Sequence, residues 1–285
     1  MSGDLPKELT GVFVELARCI VGFGPYQEDA VLCGGLVPVI YRRVLPSPQS
    51  RLRPLTTFDL DWTLPQQLTS RGESLHSRLL ASGFVARLSG SAKMPVTHYV
   101  PDPGQGTGES PIYIEFLTPR TGSKYSRKQT NQGIVEVQPG LHAQTDPYLS
   151  LLLAEIVNVS VSKIPELGLS GEHMLKLPHP ICFILQKALI REKRGPSKQD
   201  NDACHIVDVV MLTHDMWPEM REVLSRLLNS GAFSTKWFSQ VHTTLDGLFA
   251  SPTSNGSIAV AQNYSGSVSE EEISSVVSAF LAACW

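Results

Sequence analysis

Thr57-Phe58-Asp59-Leu60-Asp61-Trp62, with the pair Gly34-Gly35 ahead of it, is the part of this sequence that decides the fold class. In an extended strand successive side chains point to opposite faces, so residues i and i+2 share a face. We therefore expect Asp59 and Asp61 to project together, with Phe58, Leu60 and Trp62 buried on the other side. Two carboxylates on one face repel each other unless a positive charge lies between them. Mg²⁺ or Mn²⁺, which prefer oxygen ligands, is the usual solution.

A third acidic side chain lies in Pro111-Ile112-Tyr113-Ile114-Glu115-Phe116-Leu117, a second run typical of a strand. A lone Glu among apolar residues is costly to bury unless it is paired or bound to a metal. If the two strands are neighbours, Asp59, Asp61 and Glu115 converge. Three converging carboxylates would suffice for phosphoryl chemistry that uses two metal ions.

The glycine pair adds a possible phosphate contact to the predicted carboxylates. A short strand is predicted over 29–33, and a helix over 36–44 follows Gly34-Gly35. Glycines let the backbone approach a phosphate closely, and the start of a helix offers free N–H groups to an anion.

Taken in order, Gly34-Gly35, Thr57-x-Asp59-x-Asp61 and Glu115 resemble the DNA polymerase β-type nucleotidyltransferase superfamily. The likeness is closest to its minimal bacterial members, including the AbiEii-type toxin enzymes. It extends through Leu177-Pro178-His179-Pro180 and a Lys-bearing helix to the segment 198–202, and covers roughly residues 30–215. Departures are a longer glycine-to-aspartate connection, Gly35 where many members carry Ser, and Glu115 where Asp is common.

The resemblance implies a metal-dependent enzyme that moves a nucleoside monophosphate from an NTP, such as ATP, to an acceptor hydroxyl, releasing pyrophosphate. Asp59, Asp61 and Glu115 would be the catalytic residues and would hold Mg²⁺ or Mn²⁺. The nucleotide-binding residues implied are Gly34, Gly35, Thr57, Lys187, Arg191, Lys198 and Asp202. For Lys198 and Asp202, which are four residues apart, a structural salt bridge is an equal alternative.

The acceptor and the partners stay open at this point. Likeness to toxin-type enzymes implies RNA such as tRNA, or a protein hydroxyl, and a cognate antitoxin. Likeness to drug-modifying members would imply a small molecule instead. The basic segment 120–128 favours an RNA acceptor, because phosphates attract Lys and Arg. A non-catalytic nucleotide- or partner-binding protein on the same fold is the alternative from another class.

Composition sets broad bounds on the chain. It has 285 residues with 42% hydrophobic and 18% charged residues, which is ordinary for a globular protein with a sizeable core. A net charge of −3 argues against coating nucleic acid by bulk electrostatics. We predict no membrane span and no secretory signal. Five scattered cysteines are typical of buried thiols in a reducing compartment, which predicts a cytoplasmic location.

The predicted fold is α/β (α+β): a mixed sheet of nucleotidyltransferase type with flanking helices, then a mostly helical half. The expected boundaries are a catalytic domain at 1–178 and a helical domain at 179–285. A helix over 181–194 would carry Lys187, Arg191 and Arg194 on one stripe. The Ser/Gly-rich segment 250–268 is predicted to be a linker or loop. Ser269 is expected to cap a terminal helix over 270–283.

Overall fold

A computed structural model describes residues 7–45, 50, 52–89, 96–102, 112–120 and 133–285. The chain forms two compact units: Met1–Val37 with Thr56–Leu177, and Pro38–Leu55 with Pro178–Trp285. Segment 38–55 thus groups with the C-terminal residues; the domain boundary at 178 stays a prediction. Apart from Arg120, the basic segment 120–128 lies outside the described residues, and so does most of 101–110, where the Gly- and Pro-rich sequence predicts a turn or loop.

The first unit contains a seven-stranded mixed sheet in which β2 and β5 are parallel neighbours. The strand order is β1-β2-β5-β4-β3, and β7 pairs with β5 and β6, while β8 and β9 form a separate two-stranded sheet. This confirms the predicted mixed sheet with flanking helices. The strands are β1 Val31–Cys33, β2 Asp59–Thr63, β3 Phe84–Ser89, β4 Val96–Pro101, β5 Tyr113–Pro119, β6 Ile134–Gln138, β7 Leu141–Asp146, β8 Ile156–Ser160 and β9 Met174–Pro178. The helices that begin in this unit are α1 Lys7–Phe23, α2 Val37–Val44, α3 Leu75–Ala81 and α4 Leu149–Ala154.

An aromatic cluster fills the core beneath β2 and β5. The rings of Phe23 and Trp62 lie 4.6 Å apart, and those of Tyr99 and Phe116 lie 5.8 Å apart. Trp62 and Phe116 are buried because both strands alternate between apolar and polar residues, which directs every second side chain inward. The prediction that Phe58 joins this face is wrong. Phe58 precedes β2, so the alternation of buried and exposed residues along that strand does not include it, and its side chain is 38% exposed.

The N-terminal helix is as long and as apolar as a helix that crosses a membrane. By length and composition alone, the helical stretch Lys7–Glu28 could cross a membrane, with a mean hydropathy of 1.2. However, 61% of that window is buried within the protein. A buried apolar face is the pattern of a core helix, and α1 presents Leu9, Val12 and Leu16 to the interior.

The second unit is helical. It contains α5 Pro180–Ile190, α6 Pro196–Leu212, α7 Trp217–Asn229, α8 Thr235–Phe249, α9 Asn255–Asn263 and α10 Glu270–Cys284. The predicted helix over 181–194 ends early, because the chain tightens into a 3₁₀ turn at Arg191–Lys193. The cap at Ser269 is confirmed, since its hydroxyl accepts from the Glu272 N–H at 3.2 Å. All five cysteines are buried and form no disulfide, as predicted.

Segment 250–268 is not a linker, and that prediction is wrong. It contains α9, which packs against α6, α8 and α10. Ser257 and Val260 are fully buried, and a Cβ on Gly256 would lie 2.6 Å from the Leu248 carbonyl oxygen. Small residues here allow two helices to approach closely, rather than giving the chain flexibility.

Candidate active site

Asp59 and Asp61 lie on one face of β2, as their spacing predicts. Both are half-buried, whereas Leu60 and Trp62 between and beyond them are 0% and 2% exposed. The alternation follows from the pleat of the strand, which sends the apolar residues into the core and both carboxylates to the outer face.

Glu115 lies on the neighbouring strand beside these two residues. In the parallel pairing of β2 with β5, Asp61 is opposite Glu115 and Asp59 is opposite Tyr113. Glu115 and Tyr113 share the outer face of β5, since Ile114 and Phe116 are fully buried. The predicted neighbourhood of the two strands is therefore confirmed.

The negative charges of Asp59, Asp61 and Glu115 all act on the hydroxyl group of Tyr113. It donates a hydrogen bond to Asp59. Burial raises the pKa of Tyr113 well above its ordinary value, and the negative charges of Asp59, Glu115 and Asp61 raise it further. The negative charges of Asp59, Asp61 and Glu115 thus act on the same hydroxyl, in agreement with their places on the two paired strands.

His98 joins the site from β4. It lies opposite Glu115 in the antiparallel pairing, and its Nε2 is 3.7 Å from Glu115 Oε1. Its ring also contacts Tyr113, with centroids 5.2 Å apart. The sequence interpretation missed both residues. Tyr113 could have been found from its i−2 spacing to Glu115, but nothing near His98 marks it in the sequence.

Gly34 brings the backbone directly against Asp61. It follows β1 and has φ +72°, a conformation that residues with a Cβ rarely adopt. A Cβ at this position would lie 1.9 Å from Asp61 Oδ2, so any other residue would have to displace the Asp61 carboxylate. Gly35 is half-buried in the same 3₁₀ turn, Gly34–Leu36. Thr57 precedes β2, and its hydroxyl accepts from the Asp59 N–H at 3.4 Å.

The donor chemistry of this face fits a divalent cation, although the side chains are not arranged as a finished site. Carboxylate oxygens suit Mg²⁺ and Mn²⁺, and the glycine at 34 leaves Asp61 room beside the backbone. Within the described ranges, no three His, Cys, Asp or Glu side chains already stand as a set of metal ligands. The fit therefore depends on the type of donor and on their shared face.

The cationic residues singled out in the sequence belong to the helical unit. Lys187 is 4% exposed, and its Nζ lies 2.9 Å from Asp202 Oδ1. Arg194 reaches the same oxygen at 3.1 Å, so among the described residues Asp202 pairs with these two and the alternative pair with Lys198 is not formed. Arg191 donates to the Gln199 carbonyl at 3.2 Å, and Lys198 is exposed.

Burial also determines the protonation state of His205, which lies near Lys187 and Arg194. It lowers the pKa of His205 well below its ordinary value, and the charges of Lys187 and Arg194 act in the same direction. His205 is therefore neutral at physiological pH. The catalytic and nucleotide-binding roles assigned from the sequence, in either unit, stay predictions.

Comparison with known proteins adds an independent observation. No curated protein and no solved structure matches the chain. A family model does match, over slightly less than half of the sequence, from the start of β4 into α7. The matched stretch includes Glu115, Lys187, Arg191, Lys198 and Asp202, and leaves Asp59 and Asp61 outside. Residues 95–228 are thus similar to the family described as Nucleotidyltransferase.

Proposed function

We propose that the protein is a metal-dependent nucleotidyltransferase that transfers a nucleoside monophosphate from an NTP to an acceptor hydroxyl and releases pyrophosphate. The observation that carries the proposal is the placement of Asp59, Asp61 and Glu115 on the same face of two parallel strands, beside the glycine turn at Gly34. The family match over residues 95–228 supports the same class of chemistry.

In this proposal Asp59, Asp61 and Glu115 hold Mg²⁺ or Mn²⁺, and Glu115 can accept the proton of the acceptor hydroxyl. A bound divalent cation would neutralise developing charge on the transferred phosphoryl group. Gly34 and Gly35 would contact the triphosphate through backbone N–H groups, because the chain turns there without side chains. Thr57 would stabilise the start of β2.

Support for a direct phosphate contact differs among the residues of the helical unit. Lys187 and Asp202 are buried and already paired, which favours a structural role. Arg191 is half-buried and Lys198 is exposed, so their side chains are better suited to bind a phosphate. The acceptor we propose is an RNA such as tRNA or a protein hydroxyl, in a cytoplasmic enzyme that a cognate antitoxin controls.

The second candidate is a protein that binds nucleotide without turnover. It is favoured by the lack, within the described residues, of a finished set of three metal ligands. The two candidates differ in one measurable product, because only the enzyme releases pyrophosphate.

The test is calorimetric titration of each of the four NTPs with Mg²⁺ or Mn²⁺, followed by a pyrophosphate assay with RNA and protein acceptors. The wild type is compared with Asp59→Asn/Asp61→Asn. A matched control is Asp215→Asn/Asp246→Asn, which removes the same charge from exposed positions of the helical unit. We expect binding and pyrophosphate release in the wild type and the control only. A double variant Asp59→Asn/Asp61→Asn that keeps full metal-dependent transfer would contradict the proposal.

A further inference from the structure

Two side chains beside the candidate carboxylates have no part in the function proposed so far. Tyr113 lies opposite Asp59 and donates a hydrogen bond to it. His98 lies opposite Glu115, with 3.7 Å between Nε2 and Oε1. The Tyr113 and His98 rings contact each other at 5.2 Å. One acid from β2 and one from β5 thus each lie beside a polar neighbour from the next strand, and the rings of the two neighbours contact each other.

We propose that Tyr113 and His98 are positioning residues, which orient Asp59 and Glu115 to bind a divalent cation. The inference rests on the proposed function, because it concerns the same carboxylates. Carboxylates that ligate a metal are commonly hydrogen-bonded in turn, and removing such an outer partner typically weakens metal binding about 10–100-fold.

The chemistry of Tyr113 suits this role. A phenol is protonated at neutral pH, so Tyr113 can donate a hydrogen bond without bringing a positive charge that would compete with a cation. A carboxylate has two oxygens and about four acceptor positions, so Asp59 can accept from Tyr113 and still bind a metal. A Lys or Arg in the same place would instead neutralise the acid.

The packing of the two residues limits their own movement. Tyr113 is half-buried between the flanking strands, and the His98 ring lies against it at 32°. Side chains that are already fixed lose little conformational entropy when a ligand binds. The pair therefore orders Asp59 and Glu115 before the cation arrives, and we expect the effect to appear in affinity for the metal alone.

The experiment is calorimetric titration with Mn²⁺ in the absence of nucleotide. We expect Tyr113→Phe to bind Mn²⁺ about 10–100-fold more weakly than the wild type. The matched control is Tyr99→Phe in β4, which also loses a phenol hydrogen bond, to His76 at 2.7 Å, but on the buried face of the sheet. Tyr99→Phe should bind Mn²⁺ like the wild type. Unfolding of the metal-free proteins shows whether each variant is folded.

A second pair of variants keeps the test decisive if Tyr113→Phe does not fold. His98→Leu removes the polar contact to Glu115, whereas His98→Gln keeps a side-chain donor. We expect weaker Mn²⁺ binding in His98→Leu and recovery in His98→Gln. If the wild type binds Mn²⁺ and the variants at Tyr113 and His98 bind it equally well, the positioning role is overturned while the metal site stands. If the wild type binds no Mn²⁺, both proposals fall.

Discussion

Replacing Gly34 with alanine should separate two consequences of the tight turn after β1. The first is backbone strain, because an L-residue at φ +72° costs roughly 1–2 kcal/mol. The second is a collision, since the new Cβ would lie 1.9 Å from Asp61 Oδ2 and 2.8 Å from Asp61 Cγ. Heavy atoms do not approach so closely, so the Asp61 carboxylate has to turn away from the face that it shares with Asp59.

Gly168 offers a matched control for the strain alone. Its φ is +61°, and a Cβ added there would meet nothing within 4 Å. Gly168→Ala should therefore lower the free energy of unfolding by the same 1–2 kcal/mol or so as the backbone part of Gly34→Ala. It should leave the candidate carboxylates undisturbed.

The assay combines urea unfolding with calorimetric titration of Mn²⁺ and NTP. We expect both variants to be destabilised, and only Gly34→Ala to bind metal and nucleotide at least about tenfold more weakly, which corresponds to about 1.4 kcal/mol or more. The reasoning is refuted if Gly34→Ala binds Mn²⁺ and NTP as tightly as Gly168→Ala does. In that case the close approach of Gly34 to Asp61 has no bearing on the site.

Three further predictions concern the helical unit, and each is checked by urea unfolding. Lys187→Met removes one of the two cations that pair with the buried Asp202 and leaves Arg194, so it should lower the free energy of unfolding by about 1.5–3 kcal/mol, whereas the exposed Lys198→Met should change it by less than about 0.5 kcal/mol. Gly256→Ala forces a Cβ to within 2.6 Å of the Leu248 carbonyl oxygen and should destabilise by about 1–3 kcal/mol, whereas Gly247→Ala in α8 meets open space and should stabilise by about 0.5–1 kcal/mol. Burial raises the pKa of Asp208 from 3.8 to about 6, against the lowering effects of Arg42 and Ser50. The native state thus holds this proton more tightly than the unfolded state, so wild-type stability should fall as the pH rises through this interval, and Asp208→Asn should lack that fall.

The sequence predicted the elements around the site because their signals are local. The period of two in β2 and β5 is visible in the order of acids and apolar residues, and it correctly predicts that Asp59 and Asp61 share a face. The sequence offers the pairing of these two strands only as a hypothesis, and says nothing of their parallel direction, because residues more than fifty positions apart carry no local signal of their register. The sequence places the glycine pair between a strand and a helix, but the contact of Gly34 with Asp61 depends on the pairing of β1 with β2.

The errors have a common physical cause, which is that tertiary packing changes what a local pattern means. The Ser/Gly-rich segment before α10 has the composition of a linker, yet its small residues are those that let α9 lie against α8. Helical spacing places Lys187, Arg191 and Arg194 on one face only if the helix is continuous from the first residue to the last. The chain leaves α5 at Ile190, and Arg194 then folds back to share Asp202 with Lys187.

The acids on the outer face of β2 and β5 have different partners from the two buried acids of the helical unit, Asp202 and Asp208. In the helical unit Asp202 pairs with Lys187 and Arg194, and Asp208 pairs with Arg42. On the face of β2 and β5, the contacts of Asp59 and Glu115 within the described residues are with Tyr113, the Thr57 hydroxyl and His98, and none is with Lys or Arg. Asp202 and Asp208 are thus paired with cationic side chains, whereas Asp59 lies beside the phenol of Tyr113 and Glu115 lies beside the imidazole of His98. Because half-buried carboxylates on one face repel one another, a cation bound from outside would relieve that repulsion, and this is why we propose that the face binds a metal and its nucleotide.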